Sequence, residues 1–255
     1  MTHVNWLDYI TPGNPTHFAI AFLGGLIPAL FWLWFWLRED KQKPEPLFLL
    51  LITFIAGMAV VPAAIPLQFF ACQLYQDGVC VPTSQNLMMV WVIIEEVLKY
   101  AAAVMVVLWN KAVDEPIDYI IYLITIALGF AALENALFLF NFLEIYTPAE
   151  AAVSSKFRIV GATLLHVLAS GTIGVCLAFA YYKSESAKLI AGTVGLCIAI
   201  VLHALFNFFI MDTSESGETI LGVLMFVWMG VIVLFLLFEK VKLLERTHNN
   251  QPLHK

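Results

Sequence analysis

The sequence predicts an all-α protein, a polytopic bundle of about seven membrane-spanning helices. Hydrophobic residues make up 61% of the chain and charged residues only 13%, whereas about 25% of the residues are charged in an average soluble domain. A helix needs about 20 mostly apolar residues to cross a bilayer, and the chain contains seven apolar stretches of this kind. Composition and stretch length therefore predict the fold class before any motif is considered.

The predicted spans follow one another with short connectors. In chain order they cover residues 17–37, 47–71, 87–109, 118–143, 157–182, 189–211 and 219–238. The first ends in the aromatic run FWLWFWL beside Arg38, a composition typical of a membrane interface. The fourth begins just after Pro116, which favours the start of a helix, and the others are recognised by apolar length alone. No connector has room for a soluble domain, so residues 1–255 are predicted to form a single integral-membrane domain.

Basic residues are distributed unevenly between the connectors. Of the 13 Lys and Arg residues, ten lie in connectors on one side of the predicted bundle, two lie on the other side, and Lys99 lies within a span. Since basic residues concentrate in cytoplasmic loops, the N-terminus is predicted outside and the C-terminus in the cytoplasm. Cys72 and Cys80 flank a connector on the predicted outside, where they either form a disulfide or stay free. No basic patch suited to nucleic acid is present.

Four predicted spans carry ionisable or amide side chains at positions that lipid would otherwise surround. These segments read VIIEEVLKY, GFAALENALF, TLLHVLASG and IVLHALFNFF. Their polar residues are Glu95, Glu96, Lys99, Glu134, His166, His203 and Asn207. Charges inside a membrane are costly, face the protein interior and usually mark a functional site. The set therefore indicates chemistry inside the membrane.

The predicted topology places these side chains in nearly one layer. Counted from the outer end of each span, the ionisable residues lie about 12–14 Å below the outer surface, and Asn207 lies about 6 Å below it. Lys99 follows Glu95 by four residues and Glu96 by three, so either carboxylate can reach it. Because the two glutamates are about 100° apart around the helix, we expect one at the reacting centre and the other neutralising Lys99.

Taken in order, the four segments resemble the motifs of the PrsW family of intramembrane proteases, which is related to the CAAX prenyl endopeptidase and bacteriocin-processing superfamily. The matching patterns are EExxK at 95–99, FxxxEN at 130–135, a histidine helix with a preceding arginine at 158–166, and HxxxN at 203–207. Glu134 stands where the CAAX branch has histidine, which favours the PrsW branch and argues against prenylated substrates. The motif-bearing core is then about 87–211.

This resemblance implies an endopeptidase of a bacterial inner membrane that cleaves membrane-anchored proteins near the outer leaflet, such as an anti-sigma factor. A glutamate would activate water, and His and Asn side chains would stabilise the oxyanion. The predicted catalytic residues are Glu95, Glu96, Glu134, His166, His203 and Asn207, and the predicted structural or charge partners are Lys99, Asn135 and Arg158. The resemblance favours Glu95 as the base and Glu96 as the partner of Lys99.

Zinc is the alternative for the same residues. Glu95, His166 and His203 offer the carboxylate and imidazole donors of a catalytic zinc site that keeps one position open. The short HExxH zinc motif does not occur in the sequence. No cofactor is therefore favoured, and zinc is kept as the possible one.

Two other functions are compatible with charges inside a membrane. A proton-coupled transporter also uses intramembrane Glu, Lys and His, but the internal repeats of many carriers are not apparent here. A non-catalytic scaffold of the same fold would not need the complete set of motif residues. The expected partners are the lipid bilayer and a membrane-anchored protein substrate, without nucleic acid, and the oligomeric state is left open.

Overall fold

The computed structural model describes residues 14–39, 43–75, 85–212 and 217–249. Seven α-helices occupy these ranges: α1 (Pro15–Glu39), α2 (Leu47–Tyr75), α3 (Gln85–Ala103), α4 (Asp118–Leu143), α5 (Pro148–Phe179), α6 (Glu185–Asp212) and α7 (Gly217–Asn249). A π-helical turn, Val104–Leu108, continues α3. The predicted all-α fold class is confirmed for the described part of the chain.

Six of the helices in these ranges are long and apolar enough to cross a membrane. The exception is α3, whose 19 residues include Glu95, Glu96 and Lys99. All three side chains are buried inside the bundle, so neighbouring helices shield α3's charges from lipid. The chain is a multi-pass membrane protein, and its N-outside orientation stays a prediction from the Lys and Arg distribution.

Two helices extend farthest beyond the spans predicted for them, α5 at its beginning and α7 at its end. α5 begins at Pro148 because Thr147 caps it: the Thr147 hydroxyl accepts a hydrogen bond from the Glu150 N–H, and the Thr147 N–H donates to Glu150 Oε2. α7 continues past Phe238 to Asn249. Both extensions contain polar and charged residues, so a criterion of apolar length does not detect them.

The centre of the bundle is formed by α4 and α5. Every residue of α4 in the range 118–132 is buried. α4 packs against α1, α2 and α5, and α5 also packs against α6 and α7. α3 lies between α2 and α6 and also contacts α4 and α5. Of the four helices that carry the predicted site residues, α3 and α5 each contact the other three.

α2 and α4 cross at backbone contact distance. A side chain at Gly57 of α2 would overlap the carbonyl oxygen of Ile126, and a side chain at Gly129 of α4 would overlap that of Phe54. Small residues at a crossing point let membrane helices approach closely. This crossing holds α2 against the helix that carries Glu134.

The C-terminal end of α2 packs on the beginning of α3. Cys72 and Leu87 are both buried in this contact. Cys72 is disulfide-bonded, and Cys80, the partner considered from the sequence, lies outside the described residues. The contact brings the second half of α2 alongside the charged face of α3.

Candidate active site

Three of the predicted site residues project from α3 into the bundle. Glu96 and Lys99 are fully buried, and Glu95 is 9% exposed. Charges with so little access to water are tolerated only when they are paired and hydrogen-bonded. Glu96 and Lys99 form an ion pair, and each of the three side chains also has a hydrogen-bond partner on another helix.

Glu96 binds two donors through one carboxylate oxygen. Its Oε1 lies 2.5 Å from Lys99 Nζ and 2.6 Å from His203 Nδ1. Lys99 stands three residues later on α3, whereas His203 comes from α6. The other oxygen, Oε2, is buried and has no hydrogen-bond partner among the described residues. Glu96 therefore neutralises Lys99 and ties α3 to α6.

Lys99 connects this pair to α5 and α4. Its Nζ lies 3.0 Å from His166 Nδ1, and His166 Nε2 lies 2.8 Å from Glu134 Oε2. Because an ammonium group can only donate, Nδ1 of His166 accepts and Nε2 carries the proton that is donated to Glu134. The Phe130 ring packs against both neighbours, with its centroid 4.5 Å from Nζ and 5.0 Å from the His166 ring.

Glu95 has different surroundings. Its Oε1 accepts a hydrogen bond of 2.8 Å from Gln68 Nε2 of α2. Its Oε2 is buried, has no hydrogen-bond partner among the described residues, and lies 3.8 Å from His203 Nε2. That separation is too long for a direct hydrogen bond. Glu95 Oε2 and His203 Nε2 therefore face each other without a direct hydrogen bond between them.

Gln68 is the contact residue that sequence reasoning missed. It lies in the apolar stretch AAIPLQFFA of α2, two residues after Pro66. Amides within membrane spans usually hydrogen-bond to another helix, so a lone glutamine in this stretch was the available signal. The structure assigns its partner as Glu95.

The remaining predicted residues lie outside this network. Asn135 Nδ2 donates to Thr163 Oγ1 at 2.9 Å, and the Thr163 hydroxyl donates to the backbone oxygen of Ile159, so Asn135 links α4 to α5. Asn207 is half-buried one turn beyond His203 on α6. Arg158 belongs to α5, but its side chain lies outside the part of the structure that is described.

The cluster also contains a possible metal-ligand group. Donor atoms of Glu96, His166 and His203 all lie within 4.8 Å of one another. One carboxylate and two imidazoles suit catalytic zinc, so the donor chemistry fits such an ion. This group contains Glu96 where the sequence analysis placed Glu95. Lys99 competes for the same donors, because Nζ already contacts Glu96 and His166.

Known proteins match this chain across the cluster. The family described as "PrsW family intramembrane metalloprotease" matches residues 45–237, a range that includes every cluster residue from Gln68 to His203. Protease PrsW of Geobacillus kaustophilus is 30% identical over 115 residues, which cover 45% of this chain and 50% of that protein. This alignment therefore spans half the length of that relative.

Two further relatives align over longer stretches. Protease PrsW of Oceanobacillus iheyensis is 23% identical over 206 residues, covering 80% of this chain and 89% of that protein. Protease PrsW of Bacillus subtilis is 25% identical over 205 residues, covering 80% and 88%. No solved structure matches the chain.

The family match covers more than half of the chain and coincides with the helices that hold the buried network. The four sequence motifs and the match over residues 45–237 point to the same family. Together with the membrane-spanning helical fold, they show that this chain belongs to the PrsW family of intramembrane proteases.

Proposed function

We propose that this chain is an endopeptidase that hydrolyses peptide bonds of membrane-anchored proteins near the outer surface of a bacterial plasma membrane. The observation that carries the proposal is the approach of Glu95 Oε2 and His203 Nε2 to 3.8 Å inside a buried network. Peptide hydrolysis needs an activated water, stabilisation of an oxyanion and a proton for the leaving amine. The network has a group for each requirement.

Glu95 is the proposed base. A water beside the two facing atoms would donate one hydrogen bond to Glu95 Oε2, and the Nε2–H of His203 would be kept for the carbonyl oxygen of the substrate. Glu95 takes the proton as the water oxygen attacks the carbonyl carbon of the substrate. The same proton passes to the amine nitrogen as the carbon–nitrogen bond breaks, so one carboxyl group acts first as base and then as acid.

His203 and Asn207 are the proposed donors to the oxyanion. Glu96 accepts the Nδ1–H of His203 at 2.6 Å and supports a positive charge on the ring, as the buried carboxylate does in a Ser-His-Asp triad. The Nε2–H of His203 is then available to the developing negative charge. Asn207, four residues later on the same face of α6, adds an amide donor.

Lys99, His166 and Glu134 support this arrangement. Lys99 neutralises Glu96, so that the second carboxylate beside the base does not carry an uncompensated charge. Glu134 accepts the Nε2–H of His166 and thereby keeps His166 Nδ1 as an acceptor for Lys99. The three side chains fix the position of Glu96, and Glu96 fixes the position of His203.

Zinc is compatible with the same site. Glu96, His166 and His203 would hold the ion, while Glu95 would keep its role as base. Bound zinc would supply Lewis-acid polarisation of the scissile carbonyl. The Lys99 ammonium would then compete with the ion, because both cations would share the Glu96 carboxylate and repel each other.

The proposed substrate is a single-pass membrane protein of the anti-sigma-factor kind, cleaved on its extracytoplasmic side. The predicted topology supports this, since it would put the network about 12–14 Å below the outer surface. The name Protease PrsW of the similar proteins supports proteolysis as the reaction.

The test uses the protein in liposomes with a tagged single-pass anti-sigma factor as substrate. Glu95→Gln keeps the shape of the side chain and removes the base, so we expect cleavage to fall at least about 100-fold. Glu185→Gln is the matched control, because Glu185 is an exposed glutamate of α6 whose side chain is 74% accessible. Full cleavage by Glu95→Gln would overturn the assignment of the base.

A chelator separates the two forms of the mechanism. If zinc is required, a strong chelator abolishes cleavage and added zinc restores it. If the carboxylate acts alone, cleavage continues at the same rate in the chelator. Lys99→Met adds a second readout, because removal of the competing ammonium should strengthen zinc binding measured directly by calorimetry.

A further inference from the structure

α2 and α3 are held in register by contacts that repeat once per turn. Gln68 Nε2 donates to Glu95 Oε1 at 2.8 Å, and the Trp91 indole N–H donates to the backbone oxygen of Gln68 at 3.2 Å. One turn after Gln68 on α2 and one turn before Trp91 on α3, Cys72 and Leu87 belong to the same buried cluster. The residues on each helix are four apart and so share a face. Gln68 therefore lies in a fixed position beside Glu95.

The Gln68 contact determines where the second oxygen of Glu95 points. A carboxylate on a flexible side chain can rotate, but a hydrogen bond to Oε1 holds that oxygen in place and restricts the rotation. With Oε1 held by Gln68, Oε2 lies 3.8 Å from His203 Nε2. Without this bond, Glu95 could turn its carboxylate away from His203.

We infer that Gln68 is a positioning residue that holds Oε1 of Glu95 and so directs Oε2 toward His203 and the scissile bond. The inference rests on the proposed role of Glu95 as the base. Gln68 does not touch the substrate in this proposal; it acts through Glu95.

A neutral amide suits this role better than a charged group. The ammonium of Lys99 neutralises Glu96, and a similar group beside Glu95 would weaken it as a base. An apolar side chain would leave Oε1 buried without a donor. Gln68 satisfies one oxygen and leaves the charge of the carboxylate in place.

Two prolines remove backbone hydrogen bonds from α2 just before Gln68, so the position of Gln68 depends more on the contacts with α3. Pro62 and Pro66 lie inside α2, and each lacks the N–H that would bond to the preceding turn. The segment that carries Gln68 follows directly after them. Its position therefore depends on the contacts with Trp91 and Glu95 as well as on its own helix.

The first test compares Gln68→Met with Gln73→Met in the liposome assay. Met has nearly the same length as Gln but donates no hydrogen bond. For Gln68→Met we expect kcat to fall about 10- to 100-fold, since a small misplacement of a reacting group has effects of this size, while KM stays within about twofold. Gln73 is exposed on the same helix, so Gln73→Met should leave both constants unchanged.

The second test uses Gln68→Glu and its pH profile. Two carboxyl groups in contact share one proton more readily than they both ionise, and the shared proton would restore the hydrogen bond to Glu95. We therefore expect Gln68→Glu to lose activity as the pH rises and the shared proton is released, at a pH where wild type remains active. Gln73→Glu should keep the wild-type pH profile.

The outcomes separate this inference from the proposed function. Loss of cleavage in Glu95→Gln together with a wild-type kcat in Gln68→Met would overturn the role of Gln68 alone. Full cleavage by Glu95→Gln would overturn the assignment of the base itself. If Gln68→Met unfolds at a lower temperature than wild type, its loss of cleavage could reflect lost stability. The pH profile of Gln68→Glu then provides the test, and a profile identical to that of wild type contradicts a positioning role.

Discussion

Glu95 and Glu96 are adjacent in the chain, but their carboxylates reach different helices because an α-helix turns about 100° per residue. Glu96 binds Lys99 and, on α6, His203, both through Oε1. Glu95 binds Gln68 on α2 and keeps its second oxygen without a partner among the described residues. One carboxylate is therefore committed to an ion pair, whereas the other is the proposed base.

A double-mutant cycle on Glu96 and Lys99 tests this ion pair. Glu96→Leu should lower the free energy of unfolding by about 3–5 kcal/mol, because it leaves a buried ammonium without a counter-charge. Lys99→Met should have a comparable effect for the opposite reason. The double variant should regain most of the loss, as measured by denaturant unfolding in detergent micelles. Strictly additive losses would contradict a direct pair.

The crossing of α2 and α4 places two site-bearing helices against each other. Gly57 and Gly129 lie at this crossing, where any side chain would meet the backbone of the facing helix. Backbone atoms cannot move aside as the end of a flexible side chain can. The crossing therefore fixes the angle at which α2 brings Gln68 toward α3.

Substitution at the crossing should weaken both stability and cleavage. For Gly57→Ala we expect the free energy of unfolding to fall by about 1–3 kcal/mol, the usual cost of overpacking. Cleavage should fall in parallel, because α2 shifts. Gly222→Ala is the control, because a Cβ at Gly222 of α7 has nothing within 4 Å. That variant should be neutral or slightly stabilised, since Ala favours helix more than Gly does. Equal behaviour of the two variants in thermal unfolding would argue against a tight crossing.

The first turn of α5 is built differently from the membrane spans, because a polar capping box starts it. The pKa of Glu150 is held below its ordinary value of 4.5 by two hydrogen bonds that its carboxylate accepts. The larger effect comes from the Thr147 hydroxyl and the smaller from the Thr147 N–H. A lowered folded pKa means that the cap contributes stability above pH 4.5. The contribution is lost as the pH falls through the folded pKa.

Hydrogen exchange at the start of α5 should follow this pH dependence. After correction for intrinsic exchange rates, protection of the first-turn amides should fall when the pH drops below the ordinary pKa of 4.5. Glu150→Gln removes the titrating group, so its protection should not change with pH over this range. A wild-type response in Glu150→Gln would assign the effect to another group.

The surface of the whole bundle is apolar where a soluble protein would be polar. Large side chains such as Phe31 in α1, Leu51 in α2, Met225 in α7 and Leu236 in α7 are more than half exposed. Contiguous exposed apolar surface on this scale is covered by lipid in a membrane protein. Charged residues of α3 lie inside this apolar shell, where the ion pair between Glu96 and Lys99 and the contact of Glu96 with His203 of α6 make that location tolerable.

The orientation of the bundle can be tested with reporters at its C-terminal end. Ten of the 13 basic residues lie on the side of the C-terminal tail, so we expect the tail in the cytoplasm. A fluorescent protein that folds only in the cytoplasm, fused after Lys255, should fluoresce, and alkaline phosphatase fused there should be inactive. The opposite pattern would reverse the topology and place the network in the inner half of the bilayer.

The local sequence was sufficient for the fold class, the approximate spans and the family. Apolar length predicts membrane helices because each helix must satisfy its own backbone hydrogen bonds in lipid. Charged residues such as Glu96 and His166 stand out from an apolar background for the same physical reason, so the polar network could be recognised without a structure. The polar first turn of α5 could not be recognised in this way, since no membrane constraint acts on it.

Only the packing of the helices decided which side chains meet. The helical period gives the angle between Glu95 and Glu96, but the rotation of α3 about its axis depends on the surfaces of α2 and α6. That rotation brings Glu96 to His203 of α6 and Glu95 to Gln68 of α2, whereas the contact of Glu96 with Lys99 follows from their spacing on one helix. The hydrogen bond between Gln68 and Glu95 joins α2 to α3, and these two helices meet only through tertiary packing. The sequence pattern within either helix therefore does not predict this bond.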